Sequence, residues 1–160
     1  MGKDRKKEKE KPKKSEFKAF LKKRAPIYLG IIGLFVIFIV PELTKGSLES
    51  SFPEFTSEKQ QIVDILMGYD GPNDFGLTVL DAIANKISEE YPDERIYDNK
   101  KTKVELSVSN VNSEEYQVVL DFESYNGEMN FNWNVNTSTE KITSNNPETK
   151  YIMDLVDFYD

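Results

Sequence analysis

Apolar positions follow three different periods along this chain, and each predicts a different kind of element. From Ile27 to Val40 they are almost unbroken: fourteen residues without a charged or strongly polar side chain, eleven of them Ile, Leu, Val or Phe. A helix from Ala25 to Leu43 rises about 28 Å, close to the ~30 Å hydrocarbon thickness of a bilayer. The run therefore predicts a transmembrane helix over residues 25–43. Pro26 suits its first turn and Pro41 its exit. Lys22, Lys23 and Arg24 stand where they can snorkel at the near rim, and Glu42 marks the far one.

Three- and four-residue spacing predicts three further helices. Ser57 and Gln60 have the form of a capping box before Ile62, Val63, Ile65 and Leu66, and Gly68 is a stop. After the turn-rich stretch from Tyr69 to Asp74, a stripe of Leu77, Leu80, Ile83, Ala84, Ile87 and Tyr91 predicts a helix starting at Asn73 or Asp74 and closed by Pro92. Near the end, Asn146 is a cap, Pro147 sits at the first helical position, and Ile152, Leu155, Val156 and Tyr159 form an apolar face.

Between them the period falls to two. Val104, Leu106 and Val108 alternate with polar residues, as do Tyr116, Val118, Leu120 and Phe122, and then Met129, Phe131, Trp133 and Val135. Asn126-Gly127 is a strong hairpin signal. With those two residues as a type I′ loop, Tyr125 pairs with Glu128, Phe122 faces Phe131, Leu120 faces Trp133 and Val118 faces Val135. A slip by one residue would set each apolar residue opposite a polar one. The expected fold class is α+β: a single N-terminal transmembrane helix, then a small outer domain of helices packed on a three-stranded antiparallel meander. The expected segments are a basic tail (1–24), the membrane helix (25–43), a stalk (44–56) and the α+β domain (57–160).

Charge adds an orientation. The chain's net charge of −7 is an average. Residues 1–24 hold ten Lys and two Arg against four acids, a balance of +8, and the rest of the chain carries −15. Twelve basic residues precede the apolar run and only Lys45 lies within fifteen residues after it. The positive-inside rule then predicts a single-pass protein of the cell membrane, with its N-terminus cytoplasmic and its C-terminal domain extracytoplasmic. Phe17, Phe20 and Leu21 among the lysines suit contact between the tail and anionic lipid headgroups. Other readings fit less well. A buried core helix would not carry a +8 flank. A cleaved signal peptide lacks an A-x-A-like site after Val40. An N-myristoyl anchor at Gly2 is disfavoured by Lys6. Glu interleaved in the tail argues against nucleic acid.

Composition limits the chemistry. With no His and no Cys, the chain cannot build a His/Cys zinc site, a Ser-His-Asp triad, a cysteine nucleophile or a disulfide. No cofactor motif appears, and the expectation is a protein that is not an enzyme. Asn130, Asn132 and Asn134 share a strand face with Asp121 and Glu123 on the neighbouring strand, a candidate binding face for a glycan or an extended peptide. The plainer reading is a solvated sheet face whose polar residues prevent sticking. Asp154, Asp157 and Asp160, and Asp70, Asn73 and Asp74, are acid clusters without the spacing of a calcium loop. Asn136-Thr137-Ser138 is a glycosylation sequon at Asn136. The expected function is a membrane-anchored binding module with a protein partner outside the bilayer. The alternatives are an accessory subunit of a larger membrane complex, and a calcium-dependent or carboxylate-based hydrolytic domain.

Overall fold

The structure, a computed structural model, describes the backbone of residues 14–160; residues 1–13 lie outside it, as do the side chains of 14–21 and of Lys23. Half of the basic tail expected to meet lipid headgroups is thus outside the described residues. The chain divides into two units at Thr44–Lys45.

The first unit contains helix α1, Lys14–Leu43. At 30 residues it is about 45 Å long. It starts eleven residues before the expected boundary, because Lys, Glu, Phe, Ala and Leu fill positions 14–24 without a Gly or Pro to stop them. Pro26 and Pro41 consequently lie inside the helix rather than at its ends. The stretch Arg24–Leu43 has a mean hydropathy of 2.2, none of it buried, and is long and apolar enough to cross a membrane. No other helix among the described residues meets that test.

The second unit is a two-layer α+β domain. Its sheet has four strands in the order β1 (Lys103–Asn110), β2 (Glu115–Ser124), β3 (Gly127–Asn136) and β4 (Lys141–Ser144), all antiparallel. Helices α2 (Ser57–Met67), α3 (Val79–Glu90) and α4 (Pro147–Tyr159) contribute to one hydrophobic core. Val118, Leu120, Phe122, Phe131, Trp133 and Val135 point into that core from the two central strands. The antiparallel sheet covered by helices is as expected; the fourth strand is not. Lys141-Ile142-Thr143-Ser144 is too short, with one large apolar residue, to announce itself by alternation. A turn at Glu140 (φ 54°) returns the chain beside β3.

The hairpin register also differs. Ser124 pairs with Gly127, leaving Tyr125 and Asn126 as the loop, so Phe122 faces Met129, Leu120 faces Phe131 and Val118 faces Trp133. The displacement is two residues, an even number, so each side chain keeps its expected face. A type I′ turn needs positive φ at both loop residues. Here Tyr125 and Asn126 both avoid it, and Gly127 carries it at φ 155°. The tyrosine at the first loop position does not favour the left-handed region, whereas the glycine does.

Two helix starts shift as well. The cap of α2 is Thr56, without a side-chain bond, and the Gln60 amide donates to Asp64 (2.8 Å) instead of closing a capping box. Helix α3 begins at Val79, where Thr78 Oγ1 accepts from the Asp81 N–H (3.1 Å). Asp74 sits at φ 61°, which a helical residue cannot adopt, so the turn runs on through Gly76. The cap of α4 is Asn146 as expected, closed into a box with Thr149. Residues 45–56, within the expected 44–56 stalk, belong to the second unit. Leu48 is buried in the core, Phe52 and Phe55 lie against it, and the Gly46 N–H donates to Asp98 (3.0 Å).

Candidate functional site

The outer face of the sheet carries the polar row. Alternation along β3 turns Asn130, Asn132 and Asn134 away from the core, and the neighbouring strands bring up partners. Asn130 Nδ2 donates to Asp121 (2.6 Å), Gln117 Nε2 donates to Asn132 (3.1 Å), and Asn134 Nδ2 donates to Glu115 (3.1 Å). From beyond β4, Asn145 Nδ2 donates to the side-chain oxygens of both Asn132 (2.9 Å) and Asn134 (2.7 Å). The face is therefore a lattice of amides bonded to one another and to the Asp121 and Glu115 carboxylates. A ligand would have to compete with these bonds as well as with water. Glu123 stands at the hairpin end, across from Glu128. Asn136 closes β3: its Oδ1 accepts from the Ser138 and Thr139 N–H groups (3.1 and 2.9 Å), an Asx turn that leads into β4.

The two acid clusters meet at one end of the domain. The Asp160 carboxylate accepts from the Asn73 N–H (3.0 Å) and Asn73 Nδ2 (2.6 Å). Burial lifts the Tyr69 phenol above its ordinary pKa, and the carboxylates of Asp157 and Asp160 push it further the same way. Among the described residues, no group of three or more acids is placed to hold a metal ion. On α1, Lys22 and Arg24 are exposed.

A second surface was not visible in the sequence. Helices α3 and α4 pack side by side and leave a groove of about 690 Å³ between them. Leu77, Leu155 and Tyr151 give it apolar walls, while Asn85, Ser88 and Glu89 supply polar atoms along α3. Lys86 lies over the Tyr151 ring, 5.4 Å from its centre, and pairs with Glu90 at 3.6 Å. Four aromatic side chains here face outward, Tyr159 (60% exposed) and Tyr151 (47%) in the groove lining and Phe75 (90%) and Phe158 (79%) outside it. Phe158 and Tyr159 meet edge to face at 5.2 Å. Outward aromatic clusters of this kind mark interaction surfaces far more often than single exposed apolar residues do. The signal was masked because Leu155 and Tyr159 share the spacing of Ile152 and Val156. Only the latter two are fully buried.

A family model described as "Protein of unknown function (DUF3888)" matches residues 73–155, just over half of the chain. The match runs from the loop before α3 through the sheet into α4, and takes in Leu77, Tyr151 and Leu155 of the groove. No curated protein and no solved structure matches significantly.

Proposed function

The chain belongs to the DUF3888 family, and we propose that it is a single-pass membrane-anchored protein whose second unit is a binding module outside the cytoplasm. One observation supports the binding role above the others: the α3–α4 groove, with Tyr151 and Tyr159 exposed along it and Phe158 exposed against Tyr159. A soluble domain gains nothing in stability from outward aromatics, whereas a contact surface does gain from them. The anchoring half of the reading rests on Arg24–Leu43 and on the +8 against −15 division of charge. The hydrogen-bonded lattice on the other sheet face favours the groove over the Asn face as the surface used.

Protease added to intact cells tests the topology: it should remove the 45–160 unit and spare the N-terminal tail. Digestion of the tail alone would reverse the orientation. A photo-crosslinking residue at Tyr151 tests the contact surface. It should trap a partner that one placed at Asn132 on the opposite face does not. Trapping only from a position on α1, such as Ile32, would favour an accessory subunit that uses its membrane helix as the contact.

A further inference from the structure

The groove between α3 and α4 has apolar walls, and the segments that line it are net acidic. These segments, residues 76–89 and 151–159, carry four acids against one lysine. That lysine, Lys86, is already held by Glu90 and the Tyr151 ring. Glu89 lines the groove itself, and Asp154 and Asp157 lie exposed on α4. Two packed helices with a furrow between them offer the geometry in which a third, amphipathic helix is received by its apolar side chains.

We infer that this groove takes a cationic amphipathic segment of a partner protein, its apolar side chains resting on Leu77, Tyr151 and Leu155 and its lysines or arginines facing the surrounding acids. The inference rests on the binding reading above and names the chemistry of the partner. Charge decides among the occupants. A second copy would bring the same net acidic lining against itself, and like charges facing across an interface cost affinity. An anionic bilayer surface is repelled for the same reason. A cationic segment is attracted from a distance and its charges are neutralised at the rim.

The full-length protein in nanodiscs of zwitterionic lipid, with empty nanodiscs as the blank, can be titrated into fluorescein-labelled helical peptides. Three probes are needed: leucine on one face with lysine on the other, the same leucine face with glutamate, and a lysine peptide with glutamine in place of leucine. The Leu/Lys peptide should bind, with affinity falling several-fold as salt rises from about 0.05 to about 0.5 M. The Leu/Glu and Lys/Gln peptides should bind at least about tenfold more weakly, a difference of roughly 1.4 kcal/mol. Tyr151→Ala should weaken the Leu/Lys peptide by a similar factor, while Asn132→Ser should not. Equal binding of the Leu/Glu peptide, still lost in Tyr151→Ala, would overturn the cationic assignment and leave the groove as a binding site. Binding indifferent to Tyr151→Ala, binding of no peptide, or a signal reproduced by empty nanodiscs would overturn both. Concentration-dependent dimerisation abolished by Tyr151→Ala would assign the groove to a second copy instead.

Discussion

Asp160 holds Asn73 from 87 positions along the chain: its carboxylate accepts the Asn73 backbone N–H at 3.0 Å and the Asn73 side-chain amide at 2.6 Å. The contact ties the loop between α2 and α3 to the far end of α4, and so fixes one end of the groove. Gly71, at φ 102°, and Gly76 leave room for it. A Cβ on Gly71 would stand 2.5 Å from that of Asp160.

Asp160→Ala should therefore loosen the loop without unfolding the domain. Hydrogen bonds to a charged acceptor that is partly solvated support a cost of about 1–2 kcal/mol. Amide exchange at Asn73 should accelerate markedly while exchange in β2 and β3 stays slow. Unchanged protection at Asn73 would show that the loop is held by other contacts.

Gly127→Ala tests the hairpin. The residue needs positive φ, and an added Cβ would lie 2.8 Å from the Tyr91 hydroxyl. The expected loss is about 1–3 kcal/mol in urea unfolding, from backbone strain and from the contact together. Combining it with Tyr91→Phe should recover the contact part alone. A full recovery would mean that the backbone carries no strain there.

Trp133 is the chain's one tryptophan, fully buried and stacked on Phe131 with ring centres 5.9 Å apart. Its emission should be blue-shifted in the native state and move to the red on unfolding. Trp133→Ala, followed by circular dichroism, should cost about 3–5 kcal/mol. Trp133→Phe should cost less, since the indole N–H has no hydrogen-bond partner to lose.

The polar face should respond differently from the core beneath it. Asn132→Ser removes an acceptor of Gln117 and Asn145, but both donors are within reach of water, so the loss should be below about 1 kcal/mol. Thr149→Val should cost more, about 1–3 kcal/mol. Thr149 is fully buried, and its hydroxyl donates to the Asn132 carbonyl at 3.0 Å. If thermal melts put Asn132→Ser as low as Thr149→Val, the amide lattice would be a structural element rather than a solvated surface.

These residues show what a sequence displays and what it conceals. Period and faces were legible because burial is repetitive: every second residue of β2 and β3 meets the same core, so Phe122 and Trp133 stay inside under a register displaced by two. Register itself hung on one turn, and the loop forms one residue earlier than Asn-Gly, at Tyr125-Asn126, with Gly127 alone at positive φ. Strand β4 has too few residues to set up a period, and it is held mainly by backbone pairing to β3, to which side-chain pattern is blind. The groove was hidden for a related reason. Helical spacing puts Tyr151, Leu155 and Tyr159 on neighbouring turns of α4, but only the position of α3 decides that they border a furrow instead of filling a core.

Tyr97 gives the domain a weak point at high pH. Burial raises its phenol from 10.0 to about 12, and its hydroxyl has no hydrogen-bond partner. The folded state thus holds this proton more tightly than the unfolded chain does. Its contribution to stability is whole below pH 10 and is lost progressively as the pH climbs through about 12. Tyr69 and Tyr116 are raised too, so melting temperature should fall over this window by more than one group accounts for. Tyr97→Phe should make that fall shallower without removing it. Near neutral pH the same variant should be unchanged or stabilised by up to about 1 kcal/mol, because a buried unpaired hydroxyl is removed. A Tyr97→Phe protein whose melting temperature falls as steeply as the wild type's would place the alkaline transition on Tyr69, Tyr116 or another group.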